Sequence, residues 1–292
     1  MRALLGGLFD YAGMFPPASL AFEDALRTAA SFGNTLERPW LVGAEAVLGI
    51  ERLGDLTPDF LLGCGFRSPL HVRVALLGTL EVPEVMSETV LASWEAGVED
   101  WDPDAVRLAA AAAGRQGMRF YVEPRWPPDR LEREVGGLAD RLARINRQTA
   151  GPGAGIKVRG AGPTAIAPPA LAAVIAAVAE RGLAFKATAG LHHPLVEPAR
   201  YGNALGFLGL VAALRLHQAL GPERFGVDRV VECLGAADPS EFRFGDALAW
   251  RDYSVGQAEL AAAAEAVPFS IGSCSLHEPD ADLSRLFPEV AR

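Results

Sequence analysis

The chain has 292 residues, half of them hydrophobic, which is ample for one large core. Its formal charge is −9 and its pI is near 5.1, so no basic field exists to replace the counterions of a nucleic acid. Three widely spaced cysteines, Cys64, Cys233 and Cys274, make neither a disulfide framework nor a metal-knuckle spacing, and they fit a reducing, cytoplasmic compartment.

The first residues are mildly apolar, but Asp10 interrupts them before a signal-peptide core develops. Residues 8–18 are apolar, aromatic and rich in turn formers. They predict an N-terminal segment, 1–18, that packs on a barrel end or lines a pocket, and in the second case Asp10 and Tyr11 reach the pocket. Ser19 is placed to cap a helix with apolar positions from about 20 to 32. A strand is expected over 39–42, closed by Gly43, and a short helix over 44–53. Buried strands follow over 59–64 and 71–77, then helices over 83–96 and 103–115. Residues 118–123 read as a clean strand, with Pro124, Pro127 and Pro128 just after it. The remaining pattern predicts helix 129–146, strand 155–158, helix 168–181, strand 183–188, helix 203–220, strand 229–233, helix 257–266 and strand 267–271. Residues 163–179 are alanine-rich and uncharged, but they carry three prolines and end in Glu180 and Arg181, so they read as a buried helix and no membrane partner is expected. Residues 238–252 break the rhythm and are expected to form an inserted loop or hairpin.

Short apolar strands alternating with helices imply a mostly parallel sheet, and seven or eight of them in one chain imply an α/β fold of the (β/α)8 TIM-like barrel type, a single domain over 1–292. No Gly-x-Gly-x-x-Gly follows the early strands and no Gly-x-x-x-x-Gly-Lys occurs, so no nucleotide cofactor is expected. Barrel helices often pair, which leaves room for a homo-oligomer.

Of 27 basic residues, all but Lys157 and Lys186 are arginine. In an arginine-biased chain a surviving lysine marks a place that a forked, permanently charged guanidinium cannot fill. Both lysines lie in predicted strands, whose spacing of about 5 Å would let their tips approach. Burial and a neighbouring cation both favour the neutral amine, which is a nucleophile for carbonyl groups. The structural alternative is that each lysine pairs with a carboxylate such as Glu123 or Glu232.

In a barrel the chemistry gathers where strands end. Glu123 ends one predicted strand. Arg159 follows Lys157 and precedes a glycine-rich turn, where its fork suits a carboxylate or phosphate. After Lys186 come Thr188, Gly190 and the pair His192 and His193. His192 is a candidate acid or base, and the histidines with Glu123, Glu232 or His277 are the alternative metal ligands. Gly272 and Ser273 end the last strand as candidate anion donors. Cys274 beside them is a weaker nucleophile candidate.

Residues 156–158 with Lys157, then about thirty residues containing a helix, then Phe185-Lys186-Ala187-Thr188-Ala189-Gly190 resemble the layout of deoxyribose-phosphate aldolase and related class I aldolases. Residues 270–275 resemble that family's late Gly-Thr-Ser segment. The resemblance covers 155–190 and 270–275, under a fifth of the chain. It implies a Schiff base on Lys186, with Thr188 and Gly190 trailing it, and phosphate binding near Gly272 and Ser273. It departs in having alanine at 187 and 189, and no later lysine before paired glycines. The function so read is an aldolase-like lyase acting on a small carbonyl substrate, for which an anionic group such as a phosphate is one option, with Lys157 tuning Lys186 and Glu123 or His192 moving protons. The alternatives are a metal-assisted hydrolase or isomerase using strand-end His and Glu residues, and a non-catalytic small-anion-binding barrel.

Overall fold

A computed structural model describes residues 2–33, 46–67, 73–84, 90–162, 164–201 and 204–288. Eight parallel strands close a barrel. In chain order they are β1 (Phe9–Tyr11), β2 (Ala46–Gly49), β3 (Arg73–Gly78), β4 (Val90–Val98), β5 (Arg119–Pro124), β6 (Ala154–Arg159), β7 (Ala184–Thr188) and, after three strands outside the barrel, β11 (Phe269–Ser273). Each pairs with its neighbour in sequence, except that β7 pairs with β11 and β11 closes on β1. Helices surround it: α1 (Arg2–Leu5), α2 (Phe22–Gly33), α3 (Pro58–Gly63), α4 (Pro103–Arg115), α5 (Pro128–Gln148), α6 (Pro168–Arg181), α7 (Pro198–Tyr201), α8 (Phe207–Leu220), α9 (Val227–Leu234), α10 (Gln257–Ala266) and α11 (His277–Leu286). This is the single-domain (β/α)8 TIM barrel that the alternation of elements predicts. Among the described residues no helix is long and apolar enough to cross a membrane.

Local chemistry explains the better-formed elements. Asp102 caps α4, accepting from the backbone N–H of Asp104 and Ala105 at 3.0 and 3.1 Å, and Pro103 occupies the first helical position. Strand β5 is aromatic and β-branched, and the prolines after it prevent its extension. Asn146 clamps the link from α5 to β6: its side chain donates to the Ala154 carbonyl at 2.9 Å and accepts from the Ala154 N–H at 2.7 Å.

Four elements differ from the sequence expectation. Residues 90–96, the end of the helix expected over 83–96, instead lie in β4. Residues 59–64, expected as a strand, lie mostly in α3, where the Thr57 hydroxyl accepts from the Phe60 N–H at 3.3 Å and Pro58 starts the helix. Residues 229–233, also expected as a strand, lie in α9, which buries Val230, Cys233 and Leu234 at helical spacing. The helix expected over 44–53 is strand β2 followed by a 3-10 turn at Ile50–Asp55, where the residues are described. The strand expected over 39–42 lies outside the described residues.

The two unusual segments acquire definite places. The N-terminal segment supplies strand β1, and its next residues, Phe15 to Pro17, stand over the barrel mouth. The 238–252 stretch joins a three-stranded antiparallel sheet, β8 (Phe242–Phe244), β9 (Ala247–Trp250) and β10 (Tyr253–Gly256). Trp250 of this sheet is fully buried, with Phe225 edge-on to it at 5.9 Å.

Candidate active site

Lys157 and Lys186 occupy matching positions on the neighbouring strands β6 and β7. Both side chains enter the barrel, where bare ammonium groups need compensation. Lys157 Nζ lies 2.6 Å from Glu123 and 2.9 Å from Glu95. Lys186 Nζ lies 2.6 Å from the other oxygen of Glu95 and also pairs with Asp10. Ser270, beside Lys186 on β11, donates its hydroxyl to Asp10 at 2.8 Å. Arg159, two residues along β6, continues the chain to Glu123 at 3.7 Å. The order Asp10, Lys186, Glu95, Lys157, Glu123, Arg159 thus alternates acid and base along one chain of contacts. The Tyr121 ring stands 5.9 Å from the Lys186 amine.

Glu95 bridges both amines and its side chain is 1% exposed. Burial alone would raise its pKa, but Lys157 and Lys186 outweigh that and hold it down at about 2. It was not among the sequence candidates, because β4 reads as helix. Asp10 was flagged there only on condition that the chain start reaches the pocket; it pairs with Lys186 from a barrel strand, but the chain start lines the cavity through Ala12 and Phe15 to Pro17, not through Asp10 or Tyr11. Of the two partners considered for the lysines, Glu123 holds Lys157. Glu232 instead lies on α9, paired with Arg229 at 2.6 Å and Arg251 at 3.1 Å.

A cavity of about 460 Å³ opens at the C-terminal ends of the strands. Its charged floor is Glu95, Lys157 and Lys186, with Arg159 and His192 at the rim. Ala12, Phe15, Pro16, Pro17, Val47 and Leu77 make an apolar wall, and Thr188, Gly190, Gly272 and Cys274 line the rest. Gly190 takes a left-handed conformation, φ +73°, that lets the loop after β7 turn back over the site. Gly272 faces Thr188, and a Cβ there would sit 2.8 Å from the threonine methyl carbon.

His192 lies 3.2 Å from Glu278, 3.4 Å from the Ser273 hydroxyl and 3.7 Å, through Nε2, from Cys274. Burial lowers its pKa; Glu278 opposes this and His193 adds to it. Three candidates stand off the cavity. Glu123 lies behind Lys157. His193 bonds Asp282 of α11 at 2.7 Å. Ser273 turns its hydroxyl to the Ser275 carbonyl at 2.6 Å. Among the described residues no group of three or more His, Cys, Asp or Glu is placed to hold a metal ion.

No protein-family model matches the chain, and no curated protein matches it. A crystal structure of a chain from Toxoplasma gondii ME49, assigned as a deoxyribose-phosphate aldolase, is similar to it at 14% identity and a TM-score of 0.40, covering 98% of this chain and 92% of that one. A likeness at that level carries no chemistry from one chain to the other.

Proposed function

We propose that the protein is a lyase of the aldolase type that holds a small carbonyl substrate as a Schiff base on Lys186. The observation that carries this reading is the pair of in-register lysines at one cavity floor, joined through the buried Glu95. Attack needs a neutral amine. Lys186 reaches that form by passing a proton to Asp10, which is in contact with it, while Glu95 stays ionised. The freed nitrogen adds to the carbonyl carbon, and the carbinolamine loses water to give an iminium. As the substrate's hydroxyl gives up its proton and becomes the carbonyl of the first product, the iminium accepts the electron pair of the carbon–carbon bond that breaks. The enamine so formed takes a proton back at carbon, and water adds to the iminium to release the second product and regenerate the amine.

The neighbours take roles that fit their positions. Lys157 stabilises the negative charge of Glu95 and of the developing alkoxide. Glu123 keeps Lys157 in place. His192, uncharged near neutral pH because burial lowers its pKa, exchanges protons with the second product at the cavity rim. Arg159 receives an anionic group of the substrate. Borohydride trapping with a panel of small carbonyls, followed by peptide mapping, tests the reading. A stable adduct on Lys186 is expected, and Lys186→Met is expected to abolish it. Should no lysine adduct form with any carbonyl, the fully compensated ion chain favours the second reading, a barrel that binds a small anion without reaction.

A further inference from the structure

We infer that the substrate's anionic group is a carboxylate, so that the compound reaching Lys186 is an oxo acid and not a phosphorylated aldehyde or ketone. The inference rests on the Schiff-base reading and specifies its substrate. It begins with hydroxyls that point elsewhere. Ser273 is buried, is not part of the cavity wall, and donates to its own chain at the Ser275 carbonyl, 2.6 Å away. Thr188 lines the cavity, but its hydroxyl is directed to the Val158 carbonyl at 3.5 Å. A phosphate brings three strong acceptor oxygens and needs several donors to meet them.

Charge points the same way. Asp10, Glu95 and Glu123 already balance Lys157, Lys186 and Arg159. Each ammonium is held between two carboxylates at short range. Arg159 is different: its side chain is 40% exposed and its contact with Glu123 is a loose 3.7 Å. One guanidinium fork offers parallel N–H donors that the two oxygens of one carboxylate fill and that the three oxygens of a phosphate exceed. A phosphate of roughly −1.5 to −2 charge would add a second negative charge at Arg159, whose own partner is the carboxylate of Glu123. In the same cavity Phe15, Pro16, Pro17, Val47 and Leu77 offer a hydrocarbon wall. Arg159 stands one two-residue step, about 6.6 Å along the strand, beyond Lys157. That offset suits a carboxylate a few bonds from the carbonyl.

Trapping of Lys186 by borohydride is therefore compared across 4-oxobutanoate, butanal and glyceraldehyde 3-phosphate. Half-trapping by 4-oxobutanoate is expected at a concentration about tenfold below that for either of the others. Arg159→Gln is expected to erase most of that preference, and Arg159→Lys to restore part of it. Calorimetry with butanoate and with inorganic phosphate reads the anion site without chemistry, and butanoate is expected to bind more tightly. Tighter phosphate binding, a preference for the phosphorylated aldehyde, or a preference indifferent to Arg159 would overturn the carboxylate assignment and leave the Schiff base standing. No adduct on Lys186 with any of the three, whichever anion binds, would sink the Schiff base itself.

Discussion

Lys186 is fully buried between Asp10 and Glu95, and this fixes what its loss does. Lys186→Met leaves two buried carboxylates without their shared cation, which is expected to destabilise the fold by about 3–5 kcal/mol at neutral pH. Denaturant unfolding measures it. Glu95 gives the acid limb of stability its shape. Folding lowers its pKa from 4.5 to about 2, so the native state gains from this carboxylate fully above pH 4.5 and loses the gain as pH falls towards 2. The amount is about 3 kcal/mol. In unfolding midpoints measured from pH 6 to pH 2, Glu95→Gln is expected to flatten the fall; an unchanged acid limb would place the cause elsewhere. At this scale the sequence was half legible. The two lysines stand out because arginine supplies every other basic residue. Glu95 does not, since a carboxylate gains meaning only from what faces it across a barrel.

Strand β4 shows why. Val90, Trp94 and Val98 recur every four residues, and Ala92, Glu95 and Ala96 favour helices, so the local signal is helical. Burial between β3 and β5 overrides it, as β-structure often follows context more than propensity. Segments α3 and α9 err the other way: short apolar runs are ambiguous by periodicity alone, and the Thr57-Pro58 start was the signal that could have settled α3. Two substitutions probe element joints. Gly272→Ala pushes a methyl against Thr188 where β11 meets β7 and is expected to lower stability by about 1–3 kcal/mol, with slower trapping at the adjoining Lys186. Asn146→Ala leaves the buried Ala154 without its side-chain partners and is expected to lower the denaturation midpoint by an equivalent of about 1–3 kcal/mol.

For the whole molecule, alternation of strand and helix made the barrel readable, while its closure was not. A three-residue strand, Phe9–Tyr11, carries too little pattern to be seen, yet it joins β2 to β11. A chain starting after residue 11 is expected to lose cooperative thermal unfolding by circular dichroism, because the barrel would be left with open edges. The hydrogen bond from Ser270 to Asp10 spans 260 residues of sequence. During synthesis Asp10 leaves the ribosome roughly 10–50 s before its serine, at about 5–20 residues per second. Until then the acid has no barrel to enter. Growing chains released early therefore carry most of the site's residues but lack the strand and the serine that hold Asp10 in place.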